Sequence, residues 1–328
     1  LIGVIFDTLG TQTANLFGDN AVSAFCVEIG GIAKTYMGAA IGVAVAWSLK
    51  APPLVLFTSV VTGMMGATMT GFGIDVAGGP AGAFVAVALG TEFGKMVSKE
   101  TKVDILVTPA VTLIMGGIGA KLIGPAIGWC MLKLGDLIMT ATEWQPFVFG
   151  IVISVVVGLA LTAPISSAAL CIMLDLSGLA AGAATVGCCA QMVGFAVASY
   201  KENGVGGLVA QGLGTSMLQI SNIIKNPWIL LPATLAGAIV GPISTCLLKM
   251  IATCVFHMRN NGPAISSGMG TSGLVGQIGT FTDMGFTLDT LWKVLLIQIV
   301  LPAVLTILID QVLRRTGKIK DGDYKLDL

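Results

Sequence analysis

Gly82-Ala-Phe-Val-Ala-Val-Ala-Leu-Gly-Thr91 returns further along the chain as Gly206-Gly-Leu-Val-Ala-Gln-Gly-Leu-Gly-Thr215. Both stretches keep the opening glycine, a Val-Ala pair and the closing Leu-Gly-Thr. Thr108-Pro-Ala-Val-Thr-Leu113 is echoed in the same way by Leu231-Pro-Ala-Thr-Leu235. Many membrane proteins are built from duplicated sets of helices interrupted by Gly and Pro, with a ligand held where the copies meet. The echo therefore predicts a chain made of two repeats.

The composition indicates that both copies lie in a membrane. Apolar residues make up 55% of the chain and charged residues only 10%, against roughly 25% charged residues in an ordinary soluble domain. The 17 basic and 17 acidic residues balance, so there is no general basic field to attract nucleic acid. We expect membrane lipid as a partner and no nucleic acid.

The lengths of the apolar stretches fit helices that cross a bilayer, since a core of about 30 Å needs about 20 helical residues. The sequence predicts an all-α, polytopic membrane protein with about 8–10 transmembrane helices, some of them broken or re-entrant. If each repeat holds five crossing elements, the repeats are inverted. The predicted segments are an N-terminal polar-faced helix (1–30), repeat 1 (31–146), repeat 2 (147–263), a re-entrant hairpin with the last transmembrane helix (264–313) and a cytoplasmic tail (314–328).

The stretch from Gly262 to Thr282 is too polar and too rich in glycine for a span that faces lipid. Irregular backbone at membrane depth survives only where protein or water covers it. We therefore favour a re-entrant hairpin over an external loop. Its neutral hydroxyl and amide groups suit a hydroxyl-rich or amide-bearing ligand, and the candidates are Ser266, Ser267, Thr271, Ser272 and, as a secondary candidate, Gln277.

Other polar residues inside apolar runs are candidates because a charge in the centre of a membrane costs about 2.5–3.5 kcal/mol on insertion scales. Thr91 and Glu92 stand at the end of the first of the two similar decapeptides. An interhelical hydrogen bond or a cytoplasmic helix end explains these two residues as well as ligand binding does. Asp75 follows Gly71-Phe-Gly73, and we expect it in a turn, with a ligand role as the alternative. The further substrate-binding candidates are Thr215, Ser216, Gln219, Asn222, Gln191, Asn260 and Asn261.

Asp7, Thr11 and Asn15 recur every four residues and share one face of a predicted helix. That face lines a polar cavity in one interpretation; a solvated surface helix is the slightly favoured alternative. His257 is the single histidine, and it fits a helix terminus better than acid–base chemistry. These four residues are secondary site candidates.

The sequence lacks the motifs that mark several classes of nucleotide-binding protein and hydrolase. The sequence has no G-x-x-x-x-G-K-[ST], H-E-x-x-H or G-x-S-x-G pattern. Its seven cysteines include no C-x-x-C pair, and we interpret them as small buried thiols. We predict no catalytic residue, no metal ion and no cofactor.

Basic residues gather at two places, which the positive-inside rule assigns to the cytoplasm. Lys95, Lys99 and Lys102 form the first group, and the second lies in the tail from Arg314 onward. The tail is short and polar, so we expect no soluble domain after it.

The duplicated core, together with Gly262-Pro-Ala-Ile-Ser-Ser-Gly-Met-Gly-Thr-Ser-Gly273, resembles enzyme IIC, the membrane component of bacterial sugar phosphotransferase systems. More narrowly, it is similar to the divergent IIC-like family that includes perfringolysin regulators. The resemblance implies a homodimeric carrier in the bacterial cytoplasmic (inner) membrane, working with separate IIA and IIB phosphocarrier proteins. The sequence departs from the glucose-type pattern because it has no Gly-Ile-Thr-Glu motif, no IIB cysteine domain and no IIA histidine domain.

Two functions agree with these features. The first is a carrier that binds a small polar solute, such as a sugar, between the repeats and moves it by alternating access. The second is a membrane sensor or regulator that keeps the IIC fold and ligand cavity without transport coupled to phosphotransfer, as the missing phosphotransfer domains suggest. In neither case do we expect the chain to be an enzyme by itself; at most it is the membrane subunit of a sugar phosphotransferase system.

Overall fold

The computed structural model describes residues 2–71, 73–100, 102–163, 167–248, 254–255, 264–265 and 267–326. These residues form two compact units. The N-terminal unit is Ile2–Gly135 and the C-terminal unit is Asp136–Leu328. The candidates Asn260, Asn261, Ser266 and His257 lie outside the described residues.

The described part of the N-terminal unit is helical apart from one short hairpin. Its helices are α1 (Ile2–Phe17), α2 (Ala21–Thr35), α3 (Met37–Ser48), α4 (Pro53–Thr68), α5 (Gly79–Val97), α6 (Asp104–Leu122) and the first part of α7 (Gly124–Trp144). The hairpin pairs β1 (Thr70–Gly71) antiparallel with β2 (Ile74–Ala77).

The C-terminal unit contains the broken elements. Its α-helices after α7 are α8 (Pro146–Thr162), α9 (Ser167–Met173), α10 (Gly178–Ala198), α11 (Tyr200–Val209), α12 (Ile220–Lys225), α13 (Leu231–Pro242), α14 (Val275–Met284), α15 (Leu288–Val294) and α16 (Leu301–Arg315). π-Helical turns occupy Ala210–Gly214, Ile243–Leu247 and Leu295–Val300, and 3-10 turns occupy Ser216–Gln219, Pro227–Leu230 and Ser272–Leu274. Strands β3 (Cys254–Val255) and β4 (Ala264–Ile265) pair antiparallel.

Local sequence explains where several helices begin. Asn20 caps α2, because its side-chain oxygen accepts from the Ser23 backbone N–H at 2.8 Å. Helices α4 and α8 begin at Pro53 and Pro146, a position that lacks a hydrogen-bonding partner for its N–H in any case.

Within the described residues, four helical segments are long and apolar enough to cross a membrane. A fifth is added if α2 and α3, which meet at a 48° bend, count as one span. The shorter helices α4 and α8 are also apolar. The four segments long enough to cross are Asp104–Trp144, Gly178–Ala198, Pro227–Leu247 and Leu288–Arg315. The all-α, membrane-spanning class is thus confirmed, whereas the number of crossings stays a prediction.

Large apolar side chains cover the outside of the N-terminal unit. Trp47, Phe57 and Ile105 are each more than 70% exposed. A water-soluble monomer rarely exposes so many large apolar side chains. Contact with lipid tails accounts for this exposure.

Helix α10 is the centre of the C-terminal unit, packed against α8, α13 and α16. It is buried on all sides, as expected for a helix that is apolar all round. Its surface is made mostly of Gly, Ala and Cys, so neighbouring backbones come close. Gly187 is the tightest point, because a Cβ there would overlap the backbone carbonyl of Ser154 in α8.

Each unit contains three helices that all contact one another, α4 with α5 and α6, and α8 with α10 and α13. The echoed decapeptides, however, do not have the same local structure. Gly82–Thr91 lies inside the continuous helix α5, whereas Gly206–Thr215 runs from α11 through a π-helical turn into extended backbone. The division into two repeats stays a prediction.

Two finer expectations can be compared directly with the structure. The cysteines are not uniformly buried: Cys171, Cys188 and Cys189 are buried, Cys26 and Cys246 are half-buried, and Cys130 is exposed. The expectation of small buried thiols is therefore wrong for Cys130, which lies on an outer face of α7. The stretch from Ser267 to Gly270 is buried, which agrees with a covered hairpin better than with an external loop.

Candidate functional site

The segment 267–277 lies directly against the buried helix α10. Gly270 makes this approach possible, because its φ of +54° and the backbone of Cys188, 2.7 Å from where a Cβ would stand, exclude a side chain. On the other side, the Ser167 hydroxyl donates to the Gly268 carbonyl at 2.6 Å. Irregular backbone is thus held inside the unit between α9 and α10.

Three side chains of this segment carry buried polar atoms with no hydrogen-bond partner among the described residues. They are the Ser267 and Thr271 hydroxyls and the Gln277 amide oxygen, and we call these three residues the hairpin site. The Cys171 thiol lies near Ser267, but a thiol is a weak partner. Leaving a buried polar group unpaired costs about 1–3 kcal/mol. Three such groups within one short segment indicate that a polar ligand or water completes them.

The surroundings of the hairpin site are also polar and uncharged. The Gln277 amide nitrogen donates to Cys189 Sγ at 3.4 Å. Gln298 in turn lies 3.9 Å from that sulfur and donates to the Thr280 hydroxyl at 2.9 Å. The site therefore offers neutral donors and acceptors on a rigid support.

A second polar group ties the helices around α10 together. Gln191 of α10 donates to the Thr234 hydroxyl of α13 at 2.9 Å and accepts from Thr162 of α8 at 3.3 Å. Thr162 also pairs with the Ser216 hydroxyl at 2.9 Å. Every member has a partner, so this network is explained by packing without a ligand.

A row of amides continues from the end of α10. Gln211 donates to the Ser199 hydroxyl at 2.6 Å, and Gln219 donates to the Gln211 oxygen at 3.0 Å. Asn222 donates to the Gln219 oxygen at 2.9 Å. We call Gln211, Gln219 and Asn222 the amide row.

The chain's last described residues, 316–326, cover the amide row, and we call them the C-terminal strap. The Tyr324 carbonyl accepts from Gln219 at 2.9 Å and from Asn203 at 2.8 Å. The Lys325 carbonyl accepts from Asn222 at 2.8 Å. Side chains predicted to bind a solute are thus occupied by the backbone of the same chain.

A cluster of charges lies beside the strap. Arg314 of α16 contacts Asp310 at 2.7 Å, Glu202 at 3.0 Å and the strap residue Asp321 at 2.9 Å. The side chains of Asp310 and Glu202 are only 8% and 7% exposed. One guanidinium therefore compensates two buried carboxylates.

Tyr324 anchors the strap and titrates abnormally. Its ring is fully buried and its hydroxyl donates to Asp310 at 2.9 Å. Burial first, and then the negative charge of Asp310, raise the pKa of Tyr324 far above the usual value near 10.

We expect the strap to detach in alkaline solution. A phenol whose pKa is raised in the folded state stabilises that state below the unfolded pKa and ceases to do so as the pH rises past it. Ultraviolet titration should show Tyr324 ionising only well above the pH of about 10 at which a free phenol ionises. Tyr324→Phe should remove this late step, and a native protein with the same titration curve as Tyr324→Phe at high pH would contradict the prediction.

The predicted residues of the N-terminal unit do not form a shared pocket. The Thr91 hydroxyl is buried and has no partner in the described part of the chain. Glu92 is exposed and pairs with Lys95 at 2.8 Å, as the helix-end interpretation has it. Asp75 is exposed in β2, a strand instead of the expected turn.

The N-terminal helix also differs from both interpretations of its polar face. Asp7 is buried and pairs with Lys34 of α2 at 2.8 Å. The Thr11 hydroxyl donates to the Asp7 backbone carbonyl at 2.8 Å. Asn15 lies in the same helix. Asp7 therefore joins α1 to α2, which neither a solvated surface helix nor a cavity-lining face had predicted.

The remaining predicted residues have local roles. The Thr215 hydroxyl caps the 3-10 turn by accepting from the Met217 N–H at 3.2 Å. Ser272 is half-buried at the start of its own 3-10 turn. Sequence reasoning missed the hydroxyls and amides that complete the buried networks. The only signal for them was that each is a polar residue in an apolar run. These residues are Thr162, Ser167, Ser199, Thr234, Thr280 and Gln298.

Comparison with known proteins finds one family model that covers nearly the whole chain. The family model described as Phosphotransferase system, EIIC, matches residues 1–326. No curated protein matches the chain, and no solved structure does. The matched residues include the apolar helices, the buried hairpin segment and the strap. The chain therefore belongs to the phosphotransferase system EIIC family.

Proposed function

We propose that this chain, a membrane component of a phosphotransferase system, binds a small hydroxyl-rich solute at the hairpin site and carries it by alternating access. The unpaired Ser267, Thr271 and Gln277 atoms are the observation that supports the proposal. Their chemistry suits a neutral polyol such as a sugar, because a hydroxyl can both donate to the amide oxygen and accept from the threonine and serine hydroxyls.

The surroundings favour a neutral solute over an ion. The hairpin site and its neighbours Cys189, Gln298 and Thr280 carry no formal charge. Ligand sites are mostly apolar with a few convergent polar groups, and the Gly- and Ala-rich wall of α10 supplies the apolar part. In carriers, broken segments of this kind hold the solute near the middle of the membrane.

The binding test compares two threonines with the same defect. Thr271 lies in the hairpin site and Thr306 lies in α16 against Gly194; both hydroxyls are buried without a partner in the described structure. Thr271→Val combined with Gln277→Leu should weaken sugar binding by at least about tenfold, because each unpaired ligand group costs about 1–3 kcal/mol. Thr306→Val should leave the affinity unchanged. Binding is measured by thermal stabilisation and by radiolabelled sugar across a sugar panel.

Transport is tested with the same variants in sealed liposomes. Saturable uptake that the Thr271→Val, Gln277→Leu variant loses and Thr306→Val keeps is the expected result. Equal loss in both variants would place the binding site elsewhere. Sugar binding with no flux, with or without phosphocarrier proteins, would overturn the carrier part of the proposal.

The wider assignment follows from the family. We infer a homodimer in the bacterial cytoplasmic membrane, with separate IIA and IIB phosphocarrier proteins as partners and the two repeats facing the solute. The exposed apolar surface of Trp47 and Phe57 supports the membrane setting. The mass of the detergent-solubilised particle tests the pairing of two chains.

A further inference from the structure

The C-terminal strap has an unusual relation to the unit that it covers. Residues 316–326 contain turns and neither helix nor strand. Two side chains anchor them, Ile319 and Tyr324, in an apolar cluster with Phe195, Ile229 and Ala233. The other contacts are hydrogen bonds and ion pairs, made both to the buried amides of Gln219 and Asn222 and to exposed groups, such as Lys201 with Asp321 at 2.9 Å.

Such a segment is held less firmly than the helices around α10. Ordering each residue costs conformational entropy, and here only two buried apolar side chains, together with hydrogen bonds and ion pairs, offset the cost for eleven residues. Segments with few apolar contacts and exposed polar contacts open at lower free energy than the core. Opening of the strap is therefore a local event that leaves the helices in place.

What the strap covers is a break in the helical structure. Between α11 and α12 the chain passes through a π-helical turn, extended backbone at Thr215 and a 3-10 turn. Irregular backbone in a membrane protein needs protein or water to cover it. The strap provides this cover, since Gln219 and Asn222 donate to its Tyr324 and Lys325 carbonyls.

The amide row also connects the strap with the core. Gln211 reaches Ser199 at the end of α10. The same 3-10 turn that carries Gln219 carries Ser216, which pairs with Thr162 of α8. A change at the strap is thus two hydrogen bonds away from the helices around the hairpin site.

We propose that residues 316–326 form a releasable gate: seated, the strap seals the amide row of Gln211, Gln219 and Asn222, and lifted, it opens that row to the aqueous phase. The freed amides then offer a solute the hydrogen bonds that they now give to the Tyr324 and Lys325 carbonyls. The role of this opening as the end of a solute path rests on the proposed function, whereas the opening itself does not.

Hydrogen exchange on the full chain in lipid nanodiscs tests the opening. Tyr324→Ala removes the main anchor, and Lys320→Ala, on an exposed strap residue, is the matched control. Amides of 210–222 and 316–326 should exchange at least about tenfold faster in Tyr324→Ala, with α10 unchanged and Lys320→Ala like the native protein. Faster exchange in the strap alone would overturn the proposal, because the strap would then cover nothing.

A locked strap keeps the proposal testable if Tyr324→Ala does not fold. Asn226 and Asp323 touch at 2.7 Å, so Asn226→Cys with Asp323→Cys can be joined by a short cleavable thiol crosslinker, in a chain whose other reachable cysteines are serine. The lock should stop sugar flux and cleavage should restore it. If sugar flux continues while the strap is crosslinked, the gate is refuted and the proposed carrier function is not. If sugar binds but no flux is seen with the crosslinker either intact or cleaved, the carrier function is refuted, and the hydrogen-exchange result still decides whether the strap is a gate.

Discussion

Arg314→Met should lower the free energy of unfolding by about 3–5 kcal/mol, the largest effect that we expect from a single substitution. The replacement keeps the aliphatic stem but removes the one cation that contacts both Asp310 and Glu202. Two carboxylates with almost no exposed surface would then lose the positive charge that compensates them. The measurement is denaturant or thermal unfolding of the protein in detergent.

The neighbouring arginine provides the control. Arg315 is exposed, so Arg315→Met should change stability by less than about 0.5 kcal/mol. Adding Asp310→Asn and Glu202→Gln to Arg314→Met should recover part of the loss, because neutral groups no longer need the guanidinium. Equal stability of Arg314→Met and Arg315→Met would show that the buried ion pairs do not form.

Gly187→Ala should destabilise the C-terminal unit by about 3 kcal/mol, at the upper end of the range for overpacked cores. The added methyl group would overlap the backbone of Ser154, and a backbone cannot turn aside as a flexible side chain can. Helices α8 and α10 would have to separate. The loss should appear as a lower unfolding temperature and as faster hydrogen exchange in both helices.

A second glycine in the same bundle separates steric overlap from helix propensity. At Gly237 in α13 a Cβ would meet the Ala190 side chain at 3.5 Å and the Gly187 Cα at 3.9 Å, both ordinary van der Waals distances. Gly237→Ala should be neutral or stabilising by up to about 1 kcal/mol, since alanine favours helices. If both substitutions have the same effect, α8 and α10 are not packed as closely as the structure has them.

Composition was sufficient to predict the class of the fold. An apolar content of 55% leaves few other solutions, and the apolar stretches coincide with helices. The burial of Ser267 to Gly270 also agrees with the sequence, because Gly and Ser are too dense between Gly262 and Thr282 for a lipid-facing helix. Both signals are local, and local signals survive without knowledge of the tertiary structure.

Partners that lie far apart in the chain could not be predicted. The tail after Arg314 is polar and short, and was expected to be cytoplasmic tail only. Its binding to Asn203, Gln219 and Asn222 spans more than 100 residues, and no spacing rule connects such distant positions. The same reason explains why Asp7 was not paired with Lys34, 27 residues away.

The similar decapeptides predicted a duplication, which stays a prediction, and they were misleading about local structure at the aligned positions. Similar residues at Gly82–Thr91 and Gly206–Thr215 fold into different local structures, and at one aligned position the second stretch carries Gln211 where the first has Val87. A buried amide needs partners, and Gln211 finds them at Ser199 and Gln219.

The small side chains along α10 have a consequence for motion. Large interlocking side chains resist shear, because each must change rotamer before one helix can slide past another. Helix α10 consists mostly of Gly, Ala and Cys and therefore has few large side chains that would have to change rotamer. Helices α8, α13 and α16 therefore pack against a helix of small side chains, and short displacements of these helices along α10 require little repacking.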